Sequence, residues 1–236
     1  MSSGTKITER YNDSGYLQSN PTWHAEDSPW KARQVMRILE RNAITPGTLC
    51  EVGCGAGEIL VNLSRQMKLE RVEGYDLSAD AYAICSAKSQ GNLRFFHQDI
   101  NDTEAHYDVL ICMDVFEHVE DYLGFVRNLG ARAEYKIFHV PLDIHVNSLF
   151  RNGMMRGRAA VGHLHYFVAE TALATIEDAG LEIVDSFFTA PFARDGVPHK
   201  TAGARLMAVP RRVLFSLSPN LLSKTLGGCS LLVLAR

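Results

Sequence analysis

The feature that most constrains this chain is a short apolar run that passes directly into alternating glycines and then into a helical pattern. Residues 49–58 read Leu-Cys-Glu-Val-Gly-Cys-Gly-Ala-Gly-Glu. Glycine permits a tight turn and lets the backbone approach a ligand closely. A buried strand, a glycine turn and a helix in this order predict an α/β fold with a ligand site at the carboxyl ends of its strands.

Strand and helix patterns alternate from Trp30 to Gly180, which predicts a parallel sheet with helices on both faces. The short apolar runs suit strands buried on both sides. We expect strands over 48–52, 71–76, 93–98, 107–113, 135–140, 182–189 and 229–234. We expect helices over 58–67, 79–88, 119–132 and 170–179, and an earlier helix with Ser28 as N-cap and Pro29 as its first residue.

These patterns indicate one domain over residues 30–236, preceded by a segment of residues 1–29. Residues 143–168 are too many for an ordinary connection and include three glycines and three arginines. We therefore expect a cap inserted after the fifth strand. A basic amphipathic segment of about residues 203–226 precedes the last strand.

Composition narrows the class of protein. Hydrophobic residues make up 46% and charged residues 22% of the chain, as in globular proteins. The net charge of −3 gives no overall attraction to nucleic acid or to an anionic membrane. We see neither a signal-peptide pattern nor the about 18 consecutive apolar residues of a spanning helix. The five cysteines form no C-x-x-C pair, so we expect reduced thiols and a cytoplasmic protein.

Acidic residues flank the glycine turn and indicate the charge of its ligand. A dinucleotide-binding loop would have glycine where Glu58 stands, and both Glu51 and Glu58 would repel a pyrophosphate. A cationic nucleoside without phosphate, such as S-adenosylmethionine, suits these carboxylates better. Asp76 follows Gly57 by 19 residues, near the spacing at which a carboxylate binds ribose hydroxyls.

The next two strands also end in acidic residues. Asp99 and Ile100 follow the third strand, where a carboxylate can accept a hydrogen bond from an adenine amine. The fourth strand continues into Met-Asp-Val-Phe-Glu-His-Val over residues 113–119. Taken alone, Asp76 or Asp99 is more typical of a helix cap, but their joint spacing predicts one crevice for a nucleoside.

With these motifs in this order, the chain resembles the class I S-adenosylmethionine-dependent methyltransferases, in particular their small-molecule branch. The resemblance implies a Rossmann-like, doubly wound and mostly parallel sheet of seven strands, the last antiparallel. It also implies a cofactor site in which Glu51 and the glycines surround the methionine part, Asp76 holds the ribose, and Asp99 and Ile100 hold the adenine. Residues 113–115 would line the floor of this site. The implied cofactor residues are Glu51, Gly53, Gly55, Gly57, Asp76, Leu77, Asp99, Ile100, Met113, Asp114 and Val115.

The N-terminal segment is rich in aromatic residues, including Tyr11, Tyr16, Trp23 and His24. In similar methyltransferases such a segment folds over the bound cofactor, and Lys31 or an aromatic residue would then close the site. The alternative is a hydrophobic staple for the first helix.

Methyl transfer to a hydroxyl requires a base, and histidine suits this role near neutral pH. His145, His163 and His165 bracket the predicted cap, so we expect acceptor-side catalysis there, with Tyr166 as a substrate contact. For each histidine, ordinary packing is the alternative. We predict no metal site, because Asp114, Glu117 and Asp121 are more typical of a solvated helix face.

Basic residues suggest an anionic acceptor. Arg151, Arg156 and Arg158 lie in a stretch without acidic residues, and six more basic residues but no acidic ones follow Asp195. Arginines suit phosphate or carboxylate oxygens. The alternatives are solvated arginines, or an amphipathic helix that packs on the sheet or on a second subunit in a homodimer.

We therefore expect methyl transfer to an oxygen, or less favourably a nitrogen, of a small anionic metabolite or glycan precursor. One alternative is a non-catalytic cofactor-binding sensor or scaffold. Another is an RNA or protein methyltransferase, although the Asn-Pro-Pro-Tyr type of element is absent after the fourth strand and no nucleic-acid module is appended.

Overall fold

Seven strands form a single sheet in the order β3-β2-β1-β4-β5-β7-β6. This computed structural model describes Trp23 and residues 25–193 and 202–236, with side chains from residue 207 onward in the last range. The lid predicted over residues 1–29 lies outside this part of the chain except for Trp23 and 25–29. The strands are β1 (Thr48–Val52), β2 (Arg71–Asp76), β3 (Leu93–His97), β4 (Tyr107–Met113), β5 (Ala133–Pro141), β6 (Ile183–Thr189) and β7 (Ser230–Ala235).

The first five strands are parallel, whereas β7 runs antiparallel between β5 and β6. The predicted fold class is thereby confirmed. The helices are α1 (Ser28–Arg41), α2 (Glu58–Gln66), α3 (Ala79–Ser86), α4 (Tyr122–Gly130), α5 (Val146–Phe150), α6 (Gly153–Val161), α7 (Ala169–Asp178), α8 (Ala202–Leu217) and α9 (Pro219–Thr225).

Side chains alternate between two apolar cores, one on each face of the sheet. Leu49 packs in the core that α1 and α2 cover. The next residue, Cys50, packs in the opposite core with residues of α4 and α7. All five cysteines are buried and unpaired, as expected of reduced thiols.

Several predicted boundaries differ from the structure. Ser28 is the first residue of α1 rather than its N-cap, and Asp27 precedes it. The helix predicted over 119–132 is shorter, because residues Phe116–His118 form a 3-10 turn and Asp121 caps α4 by accepting a hydrogen bond from the Gly124 amide at 2.9 Å. The other elements agree to within about two residues, the usual uncertainty of helix and strand ends.

The segment predicted to form a cap contains α5 and α6, and its role as a cap stays a prediction. Its C-terminal end is held on the turn that follows β4, because the Leu164 and His165 amides donate to the Glu117 carbonyl at 2.9 and 3.0 Å. The predicted basic segment forms α8 and α9, and Val209 and Leu217 of α8 are exposed. Contact of this segment with a second subunit stays a prediction. Among the described residues, no helix is long and apolar enough to cross a membrane.

Candidate active site

A cavity of about 810 Å³ opens at the carboxyl ends of the parallel strands. All eleven predicted cofactor residues line it, as do Trp23 and Lys31. Parallel strands end at the same edge of a sheet, so residues from four separate sequence segments meet there. The sequence prediction of one shared crevice agrees with this arrangement.

The glycine turn is shaped so that its backbone lies against this cavity. The Gly53 amide donates to the Tyr75 carbonyl at 2.8 Å, which ties the turn to β2. Gly53 has a φ of 71°, and a Cβ at this position would lie 2.6 Å from a methyl group of Val115. Both the backbone conformation and the close approach of Val115 therefore require glycine.

Asp76 connects the end of β2 to the glycine turn. One carboxylate oxygen accepts from the Gly55 amide and the other from the Ser78 amide, each at 2.8 Å. Burial raises the pKa of Asp76, and these backbone hydrogen bonds oppose that shift. A carboxylate oxygen accepts more than one hydrogen bond, so this arrangement leaves acceptor capacity for ribose hydroxyls.

Asp99 serves locally as a cap as well as lining the cavity. Its Oδ1 accepts from the Asn101 amide at 2.8 Å at the start of the 3-10 turn Ile100–Asp102. The neighbouring Ile100 is fully buried and lines the same cavity. The two roles that the sequence suggested for Asp99, a helix cap and a contact to the cofactor, are thus compatible.

Glu51 is the most unusual group at the cofactor end. The residue is only 1% exposed, and within the described part of the chain its Oε2 has no hydrogen-bond partner. Burial raises the pKa of Glu51 well above its ordinary value, while the positive charge of Lys31 acts in the opposite direction. A buried carboxylate without a partner is costly, so a bound cation fits this position.

Lys31 and Asp114 form the floor of the cavity next to Glu51. Lys31 Nζ lies 2.6 Å from one oxygen of Asp114, and His139 Nδ1 lies 2.6 Å from the other. Burial alone would raise the pKa of Asp114, but His139 and Lys31 hold it well below its ordinary value. His139 Nε2 continues this chain of contacts to the Thr189 hydroxyl at 2.8 Å.

The far end of the cavity contains a buried acid and two histidines. Glu117 is fully buried, and its Oε1 lies 3.9 Å from His118 Nε2 and 4.0 Å from His163 Nε2. His163 Nδ1 lies 2.6 Å from Asp143 Oδ2, which fixes the ring. Burial and Asp114 raise the pKa of Glu117. Burial and the neighbouring His163 lower the pKa of His118 to about 4.

This arrangement corrects one expectation from sequence. Asp114, Glu117 and Asp121 do not form a solvated helix face, because Glu117 is buried and Asp114 is paired inside the cavity. Of these three residues, Asp121 alone is exposed. Its side chain caps α4. The 3-10 turn at Phe116–His118 separates these residues from the periodicity of α4.

The three histidines predicted to act on the acceptor lie in different environments. His163 lines the cavity, whereas His145 and His165 are not among its lining residues. His145 caps α5, where its Nδ1 accepts from the Ser148 amide at 3.1 Å. The ring of His165 packs on Tyr122 at a centroid distance of 4.3 Å. Tyr166 donates to the His163 carbonyl at 3.1 Å and also lies outside the lining.

The predicted substrate arginines lie on the outside of the cap. Arg151, Arg156 and Arg158 are exposed, and none of them lines the cavity. Among the lining residues that the structure describes, Lys31 is the sole lysine or arginine. Nine acidic residues line the described part of the cavity, namely Asp27, Glu51, Glu58, Asp76, Asp99, Asp114, Glu117, Glu120 and Asp121. This charge favours a cationic cofactor.

The sheet order and the acidic residues at the strand ends define the class I S-adenosylmethionine-dependent methyltransferases. A family model described as a methyltransferase domain matches residues 23–186. The chain belongs to this family of S-adenosylmethionine-dependent methyltransferases, which confirms the resemblance and the predicted cofactor.

Curated relatives match over shorter stretches. A ubiquinone biosynthesis O-methyltransferase of Rickettsia bellii is 30% identical over 98 residues, which are 40% of this chain and 41% of that protein. The chloroplastic magnesium protoporphyrin IX methyltransferase of Arabidopsis thaliana is 24% identical over 144 residues, 56% of this chain and 46% of that protein. The chain therefore spans less than half the length of these relatives.

Solved structures match over nearly the whole chain. Magnesium protoporphyrin IX methyltransferase from Synechocystis with bound S-adenosylhomocysteine has a TM-score of 0.64 and 16% identity, covering 97% of each chain. The N-methyltransferase NodS from Bradyrhizobium japonicum, also with S-adenosylhomocysteine, has a TM-score of 0.63 and 16% identity, covering 98% of each. At 16% identity, the similarity to these two structures establishes the fold alone.

Proposed function

We propose that this protein transfers the methyl group of S-adenosylmethionine to a hydroxyl oxygen of a small organic acceptor. The observation that carries the proposal is the single cavity that connects the eleven cofactor residues to His163. There, Asp143 orients the histidine ring through the 2.6 Å contact at Nδ1. A carboxylate that orients a histidine beside a reaction site is typical of a general base.

In the proposed reaction, the acceptor oxygen attacks the methyl carbon in line with the bond from that carbon to sulfur. The new oxygen–carbon bond forms as the sulfur–carbon bond breaks. The sulfonium keeps the electron pair of the broken bond and leaves as neutral S-adenosylhomocysteine. The hydroxyl proton passes to His163 Nε2 while Asp143 holds Nδ1. The protein supplies position and proton removal, which are the main requirements of such a displacement.

The acceptor-end histidine favours oxygen over nitrogen. A neutral amine already offers a lone pair, whereas an alcohol or phenol needs proton removal during attack. The relative from Rickettsia bellii is named an O-methyltransferase. NodS is titled an N-methyltransferase, so the likeness in fold does not choose between the two acceptors.

The charge of the cavity bears on the class of acceptor. Its acidic lining would repel the phosphates of RNA, which argues against an RNA acceptor. An anionic group on a small acceptor would have to bind outside this lining, at the exposed arginines of the cap. We therefore propose that the methylated end enters the cavity and that any phosphate or carboxylate extends toward α6.

Turnover with a panel of phenols, alcohols and phosphorylated sugars, measured as S-adenosylhomocysteine release, tests this proposal. Substituting His163→Gln should lower kcat by about 10²- to 10⁴-fold, the usual contribution of a general base, with little change in cofactor affinity. The matched variants His145→Gln and His165→Gln should retain most turnover, because these residues lie outside the lining.

Full activity of the His163→Gln variant would remove the proposed base. Cofactor binding with no turnover across the panel would favour the alternative of a sensor or scaffold.

A further inference from the structure

Three potential metal ligands converge at the acceptor end of the cavity. Glu117, His118 and His163 each offer one ligand atom, and these atoms all lie within 4.8 Å of one another. Two of the separations are 3.9 and 4.0 Å, from Glu117 Oε1 to the Nε2 atoms of the histidines. Ligands of a tetrahedral zinc ion lie about 3.4 Å apart, since the bonds are about 2.1 Å long. Small side-chain rotations would close this difference.

The environment of Glu117 points independently to a cation. The residue is 0% exposed, and neither carboxylate oxygen has a hydrogen-bond partner among the residues that the structure describes. Burying an unpartnered carboxylate is costly. The two imidazole nitrogens are too far away to donate hydrogen bonds, but they are well placed to share an ion with the carboxylate.

We propose that Glu117, His118 and His163 bind one divalent transition-metal ion of the zinc class, with the remaining coordination position open to the cavity. Two histidines and one carboxylate form a donor set typical of zinc sites that keep an open position. Magnesium is disfavoured because it prefers an all-oxygen shell.

The supporting contacts resemble those of a built metal site. Asp143 accepts from the ring nitrogen of His163 that faces away from Glu117, at 2.6 Å. Metal-binding histidines commonly donate their other ring nitrogen to a carboxylate in this way. The hydrogen bonds from Leu164 and His165 to the Glu117 carbonyl hold the two segments that carry the ligands together.

The proposed metal site goes beyond the proposed methyl transfer and does not depend on it. A metal in this position would lower the pKa of an acceptor hydroxyl bound at the open position. In the metal-bound protein, His163 Nε2 would be a ligand and could not take the acceptor proton, so the role of His163 as base applies to the metal-free protein. The bound ion would then activate the acceptor oxygen instead. Metal binding and methyl transfer can be measured separately, so either proposal can fail alone.

Cobalt(II) titration of the chelator-treated full chain tests the site. The wild-type protein should bind one Co²⁺ with the visible absorption of tetrahedral cobalt, and Zn²⁺ should displace it. Glu117→Gln and His163→Gln should weaken Co²⁺ binding more than about 100-fold, and Asp143→Asn about 10- to 100-fold. Glu120→Gln is the matched control, since it removes the same charge from a nearby lining residue outside the cluster. This control should bind Co²⁺ like the wild type.

The proposal is overturned if the wild type binds no stoichiometric Co²⁺ or Zn²⁺. It is also overturned if a folded Glu117→Gln variant binds Co²⁺ as tightly as the wild type. Circular dichroism establishes folding. If Glu117→Gln does not fold, His118→Asn provides the same comparison, and unchanged Co²⁺ affinity in that variant rejects the site.

Discussion

Replacing Glu51 by glutamine should have opposite effects on cofactor affinity and on the stability of the free protein. The side chain is buried at the cofactor end, and none of the described residues forms a hydrogen bond with its Oε2. A hydrogen bond to a charged group contributes about 1.5 to 3 kcal/mol. Loss of this interaction should weaken S-adenosylmethionine binding by about 10- to 150-fold.

The free protein should become more stable on the same substitution. Burial raises the folded-state pKa of Glu51 above its ordinary value of 4.5. The unfolded chain therefore loses this proton at a lower pH than the folded chain. The contribution of the Glu51 side chain to the stability of the folded protein is therefore fully present below about pH 4.5. This contribution is lost as the pH rises through the folded-state pKa. Glutamine does not titrate, so the variant should unfold at a higher temperature than the wild type near pH 7.

Calorimetric titration measures the affinity effect, with S-adenosylhomocysteine as a second ligand because it keeps the ammonium group but lacks the sulfonium charge. Equal losses for both ligands would assign Glu51 to the ammonium. Because burial raises the pKa of Glu51, wild-type affinity should rise as the pH increases above about 4.5, with release of a proton, since the ionised carboxylate binds the cation. The variant should lack this dependence.

Glu58→Gln is the matched control. Glu58 lines the same cavity, but it is about 30% exposed and pairs with Lys88 at 2.7 Å, so its removal should change affinity by less than about 1 kcal/mol. Unchanged affinity and unchanged pH dependence in Glu51→Gln would refute the assignment of a cation to this carboxylate.

Three further substitutions test cofactor binding and the stability of the sheet. Asp76→Ala should weaken cofactor binding by about 1.5 to 3 kcal/mol, and equal calorimetric affinities for variant and wild type would exclude a ribose contact. Gly53→Ala should lower the free energy of unfolding by more than about 1 kcal/mol, because of its positive φ and the clash with Val115; an unchanged urea midpoint would contradict this. Tyr107→Phe should cost about 1 to 3 kcal/mol, because its hydroxyl donates to Glu73, and thermal unfolding at neutral pH measures the loss.

The cofactor end of the site could be predicted from sequence because its determinants are local. Glu51, Asp76 and Asp99 lie in or directly after parallel strands, and such strand ends meet at one edge of the sheet. Once the strands are recognised from their apolar runs, these carboxylates are brought together without knowledge of any side-chain conformation.

The acceptor end could not be predicted in this way. His145 and His163 flank the same predicted cap, and no residue near His163 in the sequence assigns this histidine to the cavity. Ser148, three residues after His145, is a local signal for its capping role. The partner of His163 is Asp143, 20 residues earlier, and only the path of the cap brings the two together.

Glu117 was missed for a different reason. A helix over 119–132, extended backwards, would leave this residue on a solvated face. The chain instead makes a 3-10 turn at Phe116–His118, in which Glu117 is fully buried. Element boundaries are the least reliable part of a prediction from sequence, and here the boundary decides the environment of a charged group.

The position of β7 has a consequence for biosynthesis. This strand is fully buried and supplies the hydrogen bonds that join β5 to β6, although it is the last strand of the sheet in chain order. While the ribosome still holds it, β5 and β6 have no shared neighbour, and two apolar edges stay open to other chains. Until residues 230–235 have left the exit tunnel, a nascent chain therefore exposes two strand edges that other chains can pair with.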